Sequence, residues 1–176
     1  LTVFRDQEFS RDMLGKAAAI KRIMDVRFLR SRQFPEDAGP MAHPVRPESY
    51  REINNFYTTT VYEKGAEIYR MLQTLLGREK FKEGLRLYLE RNDGRAATCE
   101  DFINAMAQAS ERDLGQFFRW YGQAGTPRVT VKSFWDPEAQ TYTLVASQST
   151  PETPGQADKK PFLIPLAVGL LDPSGK

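Results

Sequence analysis

Cysteine and histidine are nearly missing from this 176-residue sequence, which holds one of each, Cys99 and His43. One cysteine forms no internal disulfide, and no cysteine-rich metal knot is possible. One histidine excludes a two-histidine zinc site built from a single copy of these residues. A serine triad would have to recruit His43, which sits in Pro40-Met41-Ala42-His43-Pro44. A histidine flanked by proline reads as a loop element rather than a base. No apolar run approaches the 18 or so residues that a membrane-spanning helix needs. Charge of one sign is also lacking: 25 Lys and Arg face 23 Asp and Glu, for a formal net charge of +2. With no opening basic-then-apolar stretch, the single thiol leads to the expectation of a reducing compartment, the cytoplasm.

What is present is enough for a core. Hydrophobic residues make up 40% of the chain and aromatics 11%, outside the range of global disorder. The pattern changes near Gly125-Thr126-Pro127, with helical periodicity before it and alternation afterwards. Residues 1–125 carry 20 basic and 18 acidic side chains and residues 126–176 carry 5 of each, so neither part is a strongly charged module. The basic run from Lys16 to Arg32, with Asp25 its only acid, reads as a solvated helix face balanced elsewhere. Binding of nucleic acid through it is therefore not expected.

Within the first part, Leu1, Phe4, Phe9 and Met13 fall loosely at helical spacing with no cap before them. Ile20, Ile23, Met24 and Phe28 follow at helical intervals in residues 16–34. Residues 35–47 hold four of the eleven prolines and read as a restricted loop. Thr58, Thr59 and Thr60 offer capping hydroxyls to a helix with Val61, Gly65, Ile68, Leu72, Leu75 and Leu76 as its apolar stripe. Phe81, Leu85, Tyr88 and Leu89 form the next stripe, which stops at Asn92-Asp93-Gly94. Thr98 with Asp101, and Ser110 with Asp113, resemble caps for two more helices. Beyond Pro127, residues 129–131 and 142–145 read as strands joined by a turn at Asp136-Pro137, and residues 162–171 as a third strand. Pro173-Ser174-Gly175-Lys176 is a turn signal. The fold class is α+β: a helical bundle layer over residues 1–125, then antiparallel strands over residues 126–176 that do not make a complete sandwich.

Five stretches, in order, carry a resemblance. They are Leu1-Thr2-Val3-Phe4-Arg5-Asp6-Gln7-Glu8-Phe9, Pro40 through Pro47, Asn54-Asn55-Phe56-Tyr57-Thr58, Val61-Tyr62-Glu63-Lys64-Gly65-Ala66-Glu67, and Gly125-Thr126-Pro127. Together they resemble the bacterial-type aminopeptidase N family, zinc metallopeptidases of the gluzincin type. The resemblance implies a fragment: the C-terminal half of a thermolysin-like catalytic domain plus the start of an Ig-like β-sandwich. The H-E-x-x-H helix, the third zinc ligand and the motif that holds the substrate amine would lie upstream of Leu1. Zinc would then belong to the full-length parent, none would be bound by these residues, and the isolated piece would be inactive.

By the same resemblance, the hydroxyl of Tyr62 points at the scissile carbonyl. A phenol donates a hydrogen bond while staying neutral at pH 7, and one fixed donor to a developing oxyanion is worth roughly a hundred- to a thousandfold in rate. Its place in the first turn of a helix also favours nearby negative charge. Asn54 and Tyr57 would line the pocket for the substrate's first side chain. Asp6, two helical turns beyond the missing glutamate ligand, would accept a hydrogen bond from a zinc-bound histidine. His43 and Arg46 are expected to be structural and Cys99 inert. The implied partners are peptide substrates and the remaining domains of the same chain, with no membrane. The alternative is a non-catalytic helical scaffold or interaction module.

Overall fold

The structure, a computed structural model, describes residues 1–171 and Gly175. Helix α1 (Thr2–Leu14) begins at Leu1 without a side-chain cap and buries Phe4 and Gln7. After a 3₁₀ turn at Gly15–Ala17, α2 (Ala18–Phe28) runs into a π-helical turn (Leu29–Gln33) and the single-turn α3 (Phe34–Asp37). Part of the expected proline loop is thus helical. Pro35 falls at the start of α3, where its missing N–H costs little, and the wide turn before it relieves the clash of its ring with the preceding turn. A 3₁₀ turn (Ile53–Phe56) and a second π-helical turn (Thr60–Lys64) lead into α4 (Gly65–Leu76), followed by α5 (Arg78–Asn92), α6 (Cys99–Ser110) and α7 (Gly115–Gly122).

The core is aromatic. Phe102 lies between Tyr69, Tyr88 and Phe81, with ring centroids 4.8, 5.4 and 6.4 Å away, and Phe81 meets Phe4 edge-on at 5.6 Å. Leu72, Met106 and Phe117 are fully buried. Fully burying a side chain of this size is worth about 1.5–3 kcal/mol, so the fully buried residues of α4, α6 and α7 anchor the layer. Helices α5 and α6 approach closely at Gly84, where a Cβ would sit 2.6 Å from Met106 Sδ and 3.1 Å from Met106 Cα. The Thr98–Asp101 cap forms reciprocally: Asp101 N donates to Thr98 Oγ1 at 3.1 Å and Thr98 N to Asp101 Oδ2 at 2.8 Å. Asp113 accepts from Gly115 N at 2.8 Å, but Ser110 does not cap; its hydroxyl donates back to Met106 O at 2.7 Å.

The spacing of Ile20, Ile23, Met24 and Phe28 is helical, yet these residues are exposed, as are Phe9 and Met13. Nothing among the described residues packs over that side of α1 and α2. The basic residues beside it are partly neutralised, with Arg22 bidentate to Glu67 (2.6 and 2.7 Å) and Lys21 paired with Asp25.

Strands β1 (Arg128–Asp136) and β2 (Thr141–Ser149) pair antiparallel, with Arg128 opposite Ser149 and Asp136 opposite Thr141. Asp136 Oδ1 closes the turn by accepting from Glu138 N and Ala139 N. The expected third strand does not form: residues 162–171 pair with no strand among the described residues. Side chains satisfy the start of this segment instead. Gln148 accepts from Phe162 N and donates to Phe162 O, both at 2.8 Å, and Trp120 Nε1 donates to Leu163 O at 2.9 Å. The Phe162 ring stacks on Trp120 at 4.0 Å. Of the expected turn at residues 173–176, Pro173, Ser174 and Lys176 lie outside the described residues. No helix among the described residues is long and apolar enough to cross a membrane.

Candidate active site

The second π-helical turn, Thr60–Lys64, is held at both ends. At its start, Thr58 Oγ1 accepts from Val61 N at 3.2 Å and Glu36 Oε1 from Thr60 N at 2.9 Å. The Thr60 hydroxyl, fully buried, accepts from Gln33 Nε2 at 3.3 Å. At its end, buried Lys64 donates from Nζ to Asp37 Oδ2 at 2.6 Å and to Gly125 O at 3.0 Å. A wide turn leaves the i→i−4 ladder locally open and occurs often at functional sites. Between these two buried ends, Tyr62 projects outward and is 42% exposed. Its ring stacks with that of Tyr57, centroids 6.1 Å apart and planes 27° apart. Both line an open cleft of about 350 Å³ whose other walls include Val3, Ile53 and Phe56.

The residues singled out in the sequence do not all meet. Tyr57 and Tyr62 share one cleft. Asn54 is exposed on the adjoining 3₁₀ turn, where its carbonyl accepts from Tyr57 N at 3.2 Å, and its side chain does not line the cleft. Asp6 is exposed and borders a neighbouring cleft with Gln7, Lys21, Asp25 and Glu63. Val3 lines both clefts. Burial raises the Glu63 pKa, and Gln7 Nε2 donates to its carboxylate at 3.4 Å. His43 places Nδ1 2.8 Å from Pro44 O, while its buried Nε2 lies 3.6 Å from Glu36 Oε1, beyond hydrogen-bond reach. Arg46 pairs with Glu100 and lies over the Phe118 ring at 5.4 Å. Burial raises the Cys99 pKa, against the opposing pull of Arg46, so this thiol is not activated.

Sequence reasoning passed over the acids behind the wide turn. Asp37 is buried, and its Oδ2 also accepts from Thr126 Oγ1 at 2.9 Å while Oδ1 accepts from Gly125 N at 3.4 Å. Burial lowers the Lys64 pKa and the Asp37 carboxylate works against that shift. The available signal was Lys64 itself, a lysine beside Gly65 on the buried side of a helix start. Its partner, 27 positions earlier, carried no pattern of its own. No three His, Cys, Asp or Glu side chains converge as a metal site among the described residues. The residues present thus do not fit a zinc ion.

A family model for the peptidase family M1 domain matches residues 1–121. The chain belongs to peptidase family M1. A second model, for a domain of unknown function with an Ig-like fold, matches residues 125–176. Among M1 relatives, the chain is 59% identical over 176 residues to aminopeptidase N of Escherichia coli, covering all of this chain and 20% of that protein. It is 56% identical over 175 residues to aminopeptidase N of Haemophilus influenzae, again covering 20% of the relative. The chain therefore spans about a fifth of the length of these curated relatives. A crystal structure of Legionella pneumophila aminopeptidase A in complex with aspartic acid superposes with a TM-score of 0.69 at 29% identity, covering 85% of this chain and 16% of that one. The M1 assignment agrees with the resemblance carried by the five stretches. The helical layer followed by a two-stranded antiparallel sheet agrees with the coarse α+β reading.

Proposed function

We propose that this chain is part of an aminopeptidase that removes N-terminal residues from peptides, and that the Tyr62 hydroxyl donates a hydrogen bond to the oxygen of the scissile carbonyl. One observation carries the reading: a half-exposed phenol stands over an open cleft on a wide turn whose two ends are buried. As the carbonyl carbon becomes tetrahedral, charge collects on its oxygen, and a donor already in place needs no reorganisation to stabilise it. Tyr57, Ile53 and Phe56 offer an apolar wall for the substrate's first side chain, with Asn54 on the adjoining turn. Asp6 serves as a hydrogen-bond acceptor from the neighbouring cleft.

In this proposal residues 1–125 are the C-terminal helical part of the catalytic domain and residues 126–176 begin a β-sandwich. The zinc of the full-length enzyme is held by residues other than these, so the isolated chain is inactive. Its partners are peptides and the remaining domains of the same protein, not nucleic acid or a membrane. A cytoplasmic location is supported by the single free thiol. The exposed apolar side of α2 suits a second reading, a non-catalytic interaction module.

In the full-length protein, Tyr62→Phe is expected to lower kcat about a hundred- to a thousandfold and leave KM within about threefold. Turnover within a few-fold of wild type would overturn the oxyanion role. Absence of peptidase activity in the wild-type protein would favour the interaction module.

A further inference from the structure

The wide turn that carries Tyr62 is gripped by one short segment. Gln33 and Glu36 hold its first residue, Thr60, through the hydroxyl and the backbone N–H. Asp37 holds its last residue, Lys64, at 2.6 Å. Asp37 and Lys64 are both buried, with side chains 1% and 8% exposed. The same two side chains reach across to the connection between the helical layer and the sheet, with Lys64 Nζ on Gly125 O and Asp37 on Thr126 Oγ1.

Burying an ion pair is poor value for stability alone, because both charges lose their hydration. What a fully bonded buried pair does fix is geometry: four bonds from two side chains leave the end of the turn one position. We propose that the Asp37–Lys64 pair is a positioning strut that sets the height of the Tyr62 hydroxyl over the cleft and ties it to the Gly125–Thr126 connection. The proposal rests on the oxyanion role of Tyr62. Neither Asp37 nor Lys64 lines the Tyr62 cleft; both border a separate one with Ile68 and Trp120, so the proposed route to the reaction runs through that tyrosine. A displacement near 1 Å at a reacting group costs about a hundredfold in rate.

The test is a mutant cycle in the full-length enzyme. Removing one partner strands a buried charge, so the main variant is the double substitution Asp37→Asn/Lys64→Met, which leaves none. Its kcat is expected to fall about a hundredfold with KM within about threefold. In a Tyr62→Phe background the same double substitution is expected to cost less than about threefold, because the group it positions is already gone. Thr126→Val, which removes one hydroxyl, is the milder arm: a several-fold kcat loss that disappears in the Tyr62→Phe background.

An unchanged kcat in either arm, or a loss that persists in full without the Tyr62 hydroxyl, overturns the strut while leaving the tyrosine's own role intact. If the double variant does not fold, Thr126→Val decides alone. Full activity of Tyr62→Phe itself defeats the oxyanion reading and the strut with it.

Discussion

Phe162 is where the residues after the hairpin grip the helical layer, so Phe162→Ala tests that contact directly. The side chain is 1% exposed and stacks on Trp120 with planes 18° apart. Its backbone N–H and C=O are both taken by Gln148, and neighbouring carbonyls accept from Arg119 (Pro161 O, 2.7 Å) and Gln123 (Lys160 O, 2.9 Å). Truncating a buried phenylalanine costs about 3–5 kcal/mol in transfer and cavity terms. The backbone bonds survive the substitution, so the loss should come from the ring alone. Since 1.4 kcal/mol is a factor of ten in an equilibrium, local opening should become at least a hundredfold more frequent. Native-state hydrogen exchange at the amide of Phe162 reads this opening without requiring global unfolding. Gln148→Ala, which removes two hydrogen bonds, should cost about 1–3 kcal/mol by the same readout. A change below about 1 kcal/mol for Phe162→Ala would show that the ring does not anchor the segment and would refute the packing argument.

Two further outcomes follow from the core. Gly84→Ala drives a Cβ against Met106, so overpacking of about 1–3 kcal/mol should outweigh the gain of up to about 1 kcal/mol in helix propensity; a raised urea midpoint would contradict the close α5–α6 approach. Burial pushes the Tyr69 pKa up to about 12 from 10. Between those values the unfolded chain has lost a proton that the folded one keeps, so stability falls as pH rises through the window. The Tyr69 share of the fall should be about 3 kcal/mol, with buried Tyr121 adding to it in the same direction, so the fall should be reduced in Tyr69→Phe when urea unfolding is compared between pH 9 and pH 12.

Local chemistry was legible in the sequence. The Thr98–Asp101 box, the Asp136 turn and the stripes of α4 and α6 follow from short-range spacing, which needs no knowledge of the rest of the fold. Tyr62, and Tyr57 with Asn54, are candidates only through the family resemblance; the two tyrosines share a cleft that the Asn54 side chain does not line. The helical spacing of Ile20, Ile23 and Met24 is borne out in α2, but spacing says which side is apolar and not what covers it, and these residues are exposed. A misreading comes where a partner decides the outcome. Residues 162–171 have strand composition, yet they pair with no strand among the described residues, and Gln148 and Trp120 bond the backbone only at Phe162 and Leu163. The two π-helical turns pack against each other from positions some 30 residues apart, and the Asp37–Lys64 pair spans 27; neither contact leaves a periodic trace.

The most direct test of the oxyanion assignment compares two ligands that differ in geometry at one carbon. A peptide analogue with a tetrahedral anionic centre mimics the charge Tyr62 is held to stabilise, whereas a ground-state peptide with a planar carbonyl does not. Inhibition constants measured on the full-length enzyme and its Tyr62→Phe variant should show the tetrahedral analogue weakened by about the same factor as kcat/KM, with the planar peptide almost unaffected. Equal weakening of both, or of neither, would contradict the assignment.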